Sequence, residues 1–177
     1  MKANSPSITA EATLVFRAVE AQRPSGQRVA NDGLAQHFLS PRSTVIGQTW
    51  IPEPIARWAY NLGFPGMQGY IIARTRYLDE YFQNCLDSGF EQAVILGAGY
   101  DSRAYRFKDL ARRTRIFEVD HPATQEEKKR KLRSVLGGLP DHVTYVPIDF
   151  TREALEDRLF EHHYDPGRQT VFLWEGV

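Results

Sequence analysis

The residues of this chain best able to do chemistry lie in Leu96-Gly97-Ala98-Gly99-Tyr100-Asp101-Ser102-Arg103, where two glycines are followed by an acid and an arginine. Gly97 and Gly99 permit a tight turn and let the backbone approach a ligand that a Cβ would exclude. A lone Gly-x-Gly is a weak signal, because glycine turns follow strands in many α/β domains that bind nothing there. Asp120 shifts the balance. It closes a second apolar run, Arg115 to Val119, and lies roughly 20 residues past the glycines, where α/β nucleotide folds place an acid for ribose hydroxyls. The pair of signals predicts a nucleotide-cofactor site with Gly97, Ala98 and Gly99 in its turn and Asp120 on the ribose.

Nicotinamide dinucleotides and S-adenosylmethionine share this arrangement, and the third position of the dinucleotide fingerprint helps to separate them. That position is Ser102, where the dinucleotide motif has a glycine for close helix packing. A pyrophosphate also needs a helix N-terminus free to receive it, whereas this turn carries the anionic Asp101. S-adenosylmethionine has no phosphate and carries a sulfonium and an ammonium, so an acidic turn favours the methyl donor. A nicotinamide-dependent oxidoreductase is the alternative that Ser102 and Asp101 disfavour.

These groups need an α/β frame to hold them. Ala93 to Leu96 reads as a buried parallel strand, and further strands are expected near residues 115, 143 and 170, with helical stretches between them. Strand and helix alternation of this kind implies a parallel sheet with right-handed crossovers. Ahead of the sheet, helices are expected from Ser7 to Ala21 and from about Met67 to Asp87, with a short segment around Gly33 to Leu39. Ser40 to Gly66 is rich in proline and glycine, with a possible helix at Glu53 to Leu62, and could close over a cofactor. The expected organisation is a helical N-terminal cap and lid over residues 1–88, then the first four strands over 89–177. In the long helix, Ile71, Leu78, Phe82 and Cys85 form an apolar stripe that includes Arg74. An arginine there must find an anion, either a protein carboxylate or the carboxylate of a ligand.

The runs Leu96 to Arg106, Phe117-Glu118-Val119-Asp120-His121-Pro122 and Val146-Pro147-Ile148-Asp149 resemble the leucine carboxyl methyltransferase family. Thr9 to Arg17, Asn31-Asp32 and Ala73 to Arg76 are similar to its branch of uncharacterised bacterial and archaeal members and polyketide O-methyltransferases. The resemblance implies a class I methyltransferase with a Rossmann-like sheet that binds S-adenosyl-L-methionine. It puts Gly97 and Gly99 at the methionine part, Asp120 at the ribose, and Asp149 with Phe150 at the adenine. It also pairs Arg74 with the cofactor carboxylate and sets Glu175 near the cofactor amino group, with Arg17 as a second basic contact. His121 adjoins the ribose acid and could touch the adenosine. The implied reaction is O-methylation of a carboxylate or hydroxyl on a small molecule or a peptide C-terminus. Spacing nominates no catalytic base, and Tyr100 and Tyr105 are expected to pack.

Family members continue through further strands, so a chain ending at Val177 is expected to lack the C-terminal strands and to expose the flank of Val171 to Trp174. A truncated product, a fragment, or a sheet completed by another subunit would each account for this. A non-catalytic cofactor-binding remnant is therefore the other alternative, with weak or no turnover expected of the chain alone.

Lys128-Lys129-Arg130-Lys131 follows Glu126-Glu127 on a helix begun by Pro122, so a solvated face with i,i+4 pairing outweighs nucleic-acid binding. Arg76 and Glu80 are expected to pair in the same way. His162-His163 has no further ligands at metal-binding spacing, so no metal is expected. A formal net charge of zero, from 22 charges of each sign, argues against nucleic acid as the main partner. One cysteine excludes an intrachain disulfide, and Cys85 is expected in the core. Met1 to Pro6 lacks the apolar core of a secretory signal and no apolar run reaches membrane length, so a cytoplasmic location is expected.

Overall fold

In the computed structural model, residues 8–40, 65–107 and 113–175 are described. Two units divide the chain, Met1–Glu80 and Tyr81–Val177. The first contains α1 (Ile8–Ala21), a 3-10 turn (Ser25–Gln27), α2 (Ala35–Phe38) and most of α3 (Met67–Asp87). Phe16 of α1 meets Ala30, Ile71 and Ile72 in its core, and Arg17 pairs with the buried Asp32 at 3.1 Å. Both long helices lie where the apolar spacing put them. The Glu53 to Leu62 helix and nearly all of the Ser40 to Gly66 stretch fall outside the described residues.

Along α3, Ile71, Phe82 and Cys85 are buried as the stripe requires, and Arg76 pairs with Glu80 at 2.7 Å. Arg74 departs from the expectation. It is only half-buried, with its guanidinium 5.3 Å from the centre of the Tyr70 ring. Thr75 takes the buried position instead and returns its hydroxyl to the Ile71 carbonyl at 2.8 Å. The reason is angular: at 100° per residue, position 75 continues the row of 71 and 82 more closely than 74 does. Burial therefore does not force an anion onto Arg74.

The second unit is α/β. Strands β1 (Gln92–Leu96), β2 (Arg115–Asp120), β3 (Val143–Pro147) and β4 (Thr170–Trp174) form an all-parallel sheet in the order β3-β2-β1-β4. Short helix α4 (Arg103–Arg106) follows β1, α5 (Pro122–Leu136) follows β2, and α6 (Leu155–Glu161) follows β3. β1 is paired on both sides and buried over its first four residues, which is why its sequence reads as an apolar run without alternation. On one face, Val94, Phe117, Val119, Val146 and Ile148 meet Leu159 of α6 in a single apolar cluster. At the β4 edge, Val171 and Leu173 point inward while Phe172 and Trp174 are 49% and 73% exposed. No helix among the described residues is long and apolar enough to cross a membrane.

Local signals fix α5. Pro122 opens it, the His121 ring nitrogen accepts the Ala123 N–H at 3.3 Å, and Gly137 closes it in the left-handed region at φ 75°. Arg130 is exposed and pairs with Glu127 at 2.7 Å, as a solvated face requires. Lys129, paired with Glu126 at 2.9 Å, is half-buried over the Tyr145 ring, and both pairs span three residues where four were expected. Lys128 breaks the expectation of a solvated face. It shares the inward row with Gln125 and Leu132, and its ammonium lies 2.8 Å from the fully buried Glu118 of β2. Phe117→Ala, at the centre of the apolar cluster, is expected to cost about 3–5 kcal/mol. A lowered urea midpoint with unchanged slope would show it.

Candidate functional site

The chain leaves β1 toward β2 and β3 on one side and returns to place β4 on the other, so a topological switch point opens at the C-terminal end of β1. In open α/β sheets that crevice is where ligands bind. Leu96 is level with Val119 and Trp174, and Asp120 with Pro147. The register thus brings the glycine turn, Asp120, Asp149 and Glu175 to one edge of one sheet.

Gly97 and Gly99 adopt φ of 58° and 39°, a region that side chains resist. The Ala98 N–H between them donates to the Val119 carbonyl at 3.0 Å, and the Ala98 carbonyl accepts the Asp101 N–H at 2.7 Å. Asp120 ties β2 to this turn. One carboxylate oxygen accepts the Gly99 N–H and the other accepts the His121 N–H at 2.6 Å. A carboxylate offers about four lone-pair positions. Two bonded N–H groups therefore leave Asp120, which is half-buried, able to accept two vicinal hydroxyls. A Cβ on Gly99 would come to 3.8 Å from that carboxylate at a strained φ. The donor set fits a ribose-bearing cofactor.

Asp101, expected as an anionic group of the turn, is ion-paired within it. One of its oxygens accepts the Arg103 N–H at 2.8 Å and the other lies 2.5 Å from the Arg103 guanidinium. That guanidinium, 2% exposed, also reaches Glu175 at 2.9 Å. Asp101 is thus ion-paired, and repulsion by a bare carboxylate no longer argues against a pyrophosphate. A different reason replaces it: α4 has only four residues and the carboxylate of Asp101 already occupies its first N–H. Ser102 is fully buried, with its hydroxyl oxygen accepting from Arg106 Nε at 2.8 Å.

Beyond β3, Asp149 accepts the Thr151 hydroxyl at 2.6 Å and the Thr151 N–H at 3.0 Å. These bonds, the hydroxyl first, hold its carboxyl below the usual aspartate range. Phe150 beside it is half-exposed and presents a flat apolar ring. His121 is exposed, and its ring caps α5. Arg74 belongs to α3 of the other unit.

The sequence reading passed over two features. Arg103 was only part of a motif, yet it is the buried cation shared by Asp101 and Glu175. Likewise Glu118 and Lys128 form a buried pair, with the Tyr105 hydroxyl donating to Glu118 at 2.9 Å and lying 3.0 Å from the Tyr145 hydroxyl. An acid inside the apolar run Ile116 to Val119 was the available signal, since a strand buried on both faces must supply it with a cation. Burial pushes Glu118 up while Lys128 opposes it. Burial and the Glu118 charge push Tyr105 far up, and Tyr145 is pushed up to about 12, chiefly by burial. Both phenols stay protonated at neutral pH, so Tyr105 acts as a donor in the core.

Residues 10–177 match the leucine carboxyl methyltransferase family. Curated relatives include YktD of Bacillus subtilis, 37% identical over 126 residues, which cover 71% of this chain and 40% of that protein. A Mycobacteroides abscessus protein is 32% identical over 98% of this chain and 54% of its own length. One from Rhodococcus jostii is 32% identical over 98% and 56%. Each carries the name "Putative S-adenosyl-L-methionine-dependent methyltransferase". The chain spans about half the length of these relatives.

Arg103→Met removes the cation that Asp101 and Glu175 share and is expected to cost roughly 3 kcal/mol, read by thermal or urea unfolding. Thr151→Val removes the strongest bond to the Asp149 carboxylate. Its titration midpoint, followed by carboxyl NMR, is expected to move up toward the ordinary aspartate value.

Proposed function

Because this chain belongs to the leucine carboxyl methyltransferase family, we propose that it binds S-adenosyl-L-methionine at the switch point and serves an O-methyltransferase. The observation that carries this reading is Asp120 at the end of β2, gripping the Gly99 N–H while keeping acceptor capacity for ribose hydroxyls. Asp149 and Phe150 together offer a polar acceptor and an apolar surface to an adenine. Glu175 offers a carboxylate to the cofactor ammonium, and Arg103 fixes where that carboxylate sits. For Arg74 the reading rests on the family pattern alone, which pairs it with the cofactor carboxylate.

When bound, S-adenosylmethionine supplies an electrophilic methyl group on a sulfonium. The work left to the protein is to hold methyl and acceptor oxygen in line and to keep water away. A carboxylate acceptor is already ionised at neutral pH and needs little help from a base, whereas an alcohol requires one. Tyr105 cannot serve, because burial and Glu118 keep it protonated. A carboxylate on a small molecule or peptide C-terminus is the acceptor that asks least of the residues at this edge.

Calorimetric titration of the purified chain with S-adenosylmethionine and, separately, with NAD tests the proposal. Binding of the methyl donor alone is expected, weakened about tenfold or more, near 1.4 kcal/mol, in Asp120→Ala. Binding of NAD in its place, or an Asp120→Ala affinity equal to wild type, would overturn it.

A further inference from the structure

We infer that Lys128 is a positioning residue for the cofactor turn, its ammonium anchoring the Ala98 carbonyl between Gly97 and Gly99 while Glu118 balances its charge. The inference rests on the cofactor reading above for what the turn receives, but the anchoring itself is a property of the chain. Lys128 Nζ lies 2.8 Å from Glu118 Oε1 and 3.5 Å from the Ala98 carbonyl oxygen, the second an ion–dipole contact. Lys128 is 1% exposed and Glu118 is 0% exposed, so water does not compete for either contact. The other Glu118 oxygen accepts the Tyr105 hydroxyl at 2.9 Å, and Gln125 Nε2 donates to the Glu118 carbonyl at 3.0 Å. The carboxylate that orients the ammonium is therefore itself held by Tyr105, and the backbone that carries it by Gln125.

A buried ion pair is weak evidence for stability, since apolar residues of similar volume serve as well or better. What this pair adds is reach. The Ala98 peptide is flanked by two glycines at positive φ, the residues with the most backbone freedom to lose, so that freedom must be restrained from elsewhere. Its N–H is tied to the Val119 carbonyl. Its carbonyl is tied on the turn side by the Asp101 N–H and on the α5 side by Lys128. A turn held this way meets its ligand without an ordering cost at the moment of binding.

The decisive comparison is between wild type and the charge-neutral pair Glu118→Gln/Lys128→Met, which keeps an acceptor for Tyr105 and the volume of the lysine stem but removes the ammonium. Amide hydrogen exchange without ligand is the first readout. The Asp101 amide is expected to exchange about tenfold faster in the variant while β1 and β2 stay protected. S-adenosylmethionine affinity, by calorimetry, is expected to fall about tenfold. A folded variant whose Asp101 amide exchanges as in wild type would overturn the proposal, leaving Lys128 as no more than the partner of Glu118. Glu118→Gln/Lys128→Leu repeats the comparison if the first pair does not fold. Failure of wild type to bind S-adenosylmethionine would overturn the cofactor reading, whereas the exchange result decides the anchoring without it.

Discussion

β1 is hydrogen-bonded in parallel to β2 on one side and to β4 on the other, and the site follows from that pairing. Parallel register makes the strands end together, so residues just past Leu96, Val119, Pro147 and Trp174 share one edge. Because β4 joins on the side of β1 opposite to β2, the connections part there and leave a crevice. Asp120 and Glu175 are far apart in sequence and become neighbours of the same turn only through this order.

Gathering Asp101, Asp120, Asp149 and Glu175 at one edge concentrates negative charge, and the fold meets it in two ways. Asp120 and Asp149 take backbone N–H groups, which stabilise a carboxylate, and Asp149 also lies 3.6 Å from the Arg152 guanidinium. Asp101 and Glu175 share the guanidinium of Arg103, whose planar fork can serve two acids at once. The edge thus keeps a net negative charge, a setting suited to the sulfonium and ammonium of the proposed cofactor. Lys128 answers the same need one layer deeper, where Glu118 lies among apolar neighbours.

Much of this was legible in the residues. The apolar runs gave the strands because a strand buried on both faces cannot alternate. Pro122 and Gly137 gave the limits of α5 because each suits one helix end and not the interior. Gly97, Gly99 and Asp120 marked the turn and its acid through glycine chemistry and spacing. Arg74 was misread because a stripe drawn with neighbouring helix positions tolerates an error of one residue, and one residue moves a side chain from the core toward the rim. Lys128 was misread because a run of four basic residues looks uniformly solvated, while a helix sends one of four inward.

The sequence by itself determined the α/β alternation, the glycine turn, the acid that closes β2 and the family, because these depend on local backbone preference and short spacing. Only the tertiary structure decided the strand order, the pairing of Arg103 with both Asp101 and Glu175, and the burial of Lys128 against Glu118. The physical reason is that a charge chooses its partner by distance through space and by access to water, and neither is set until the strands and helices have packed.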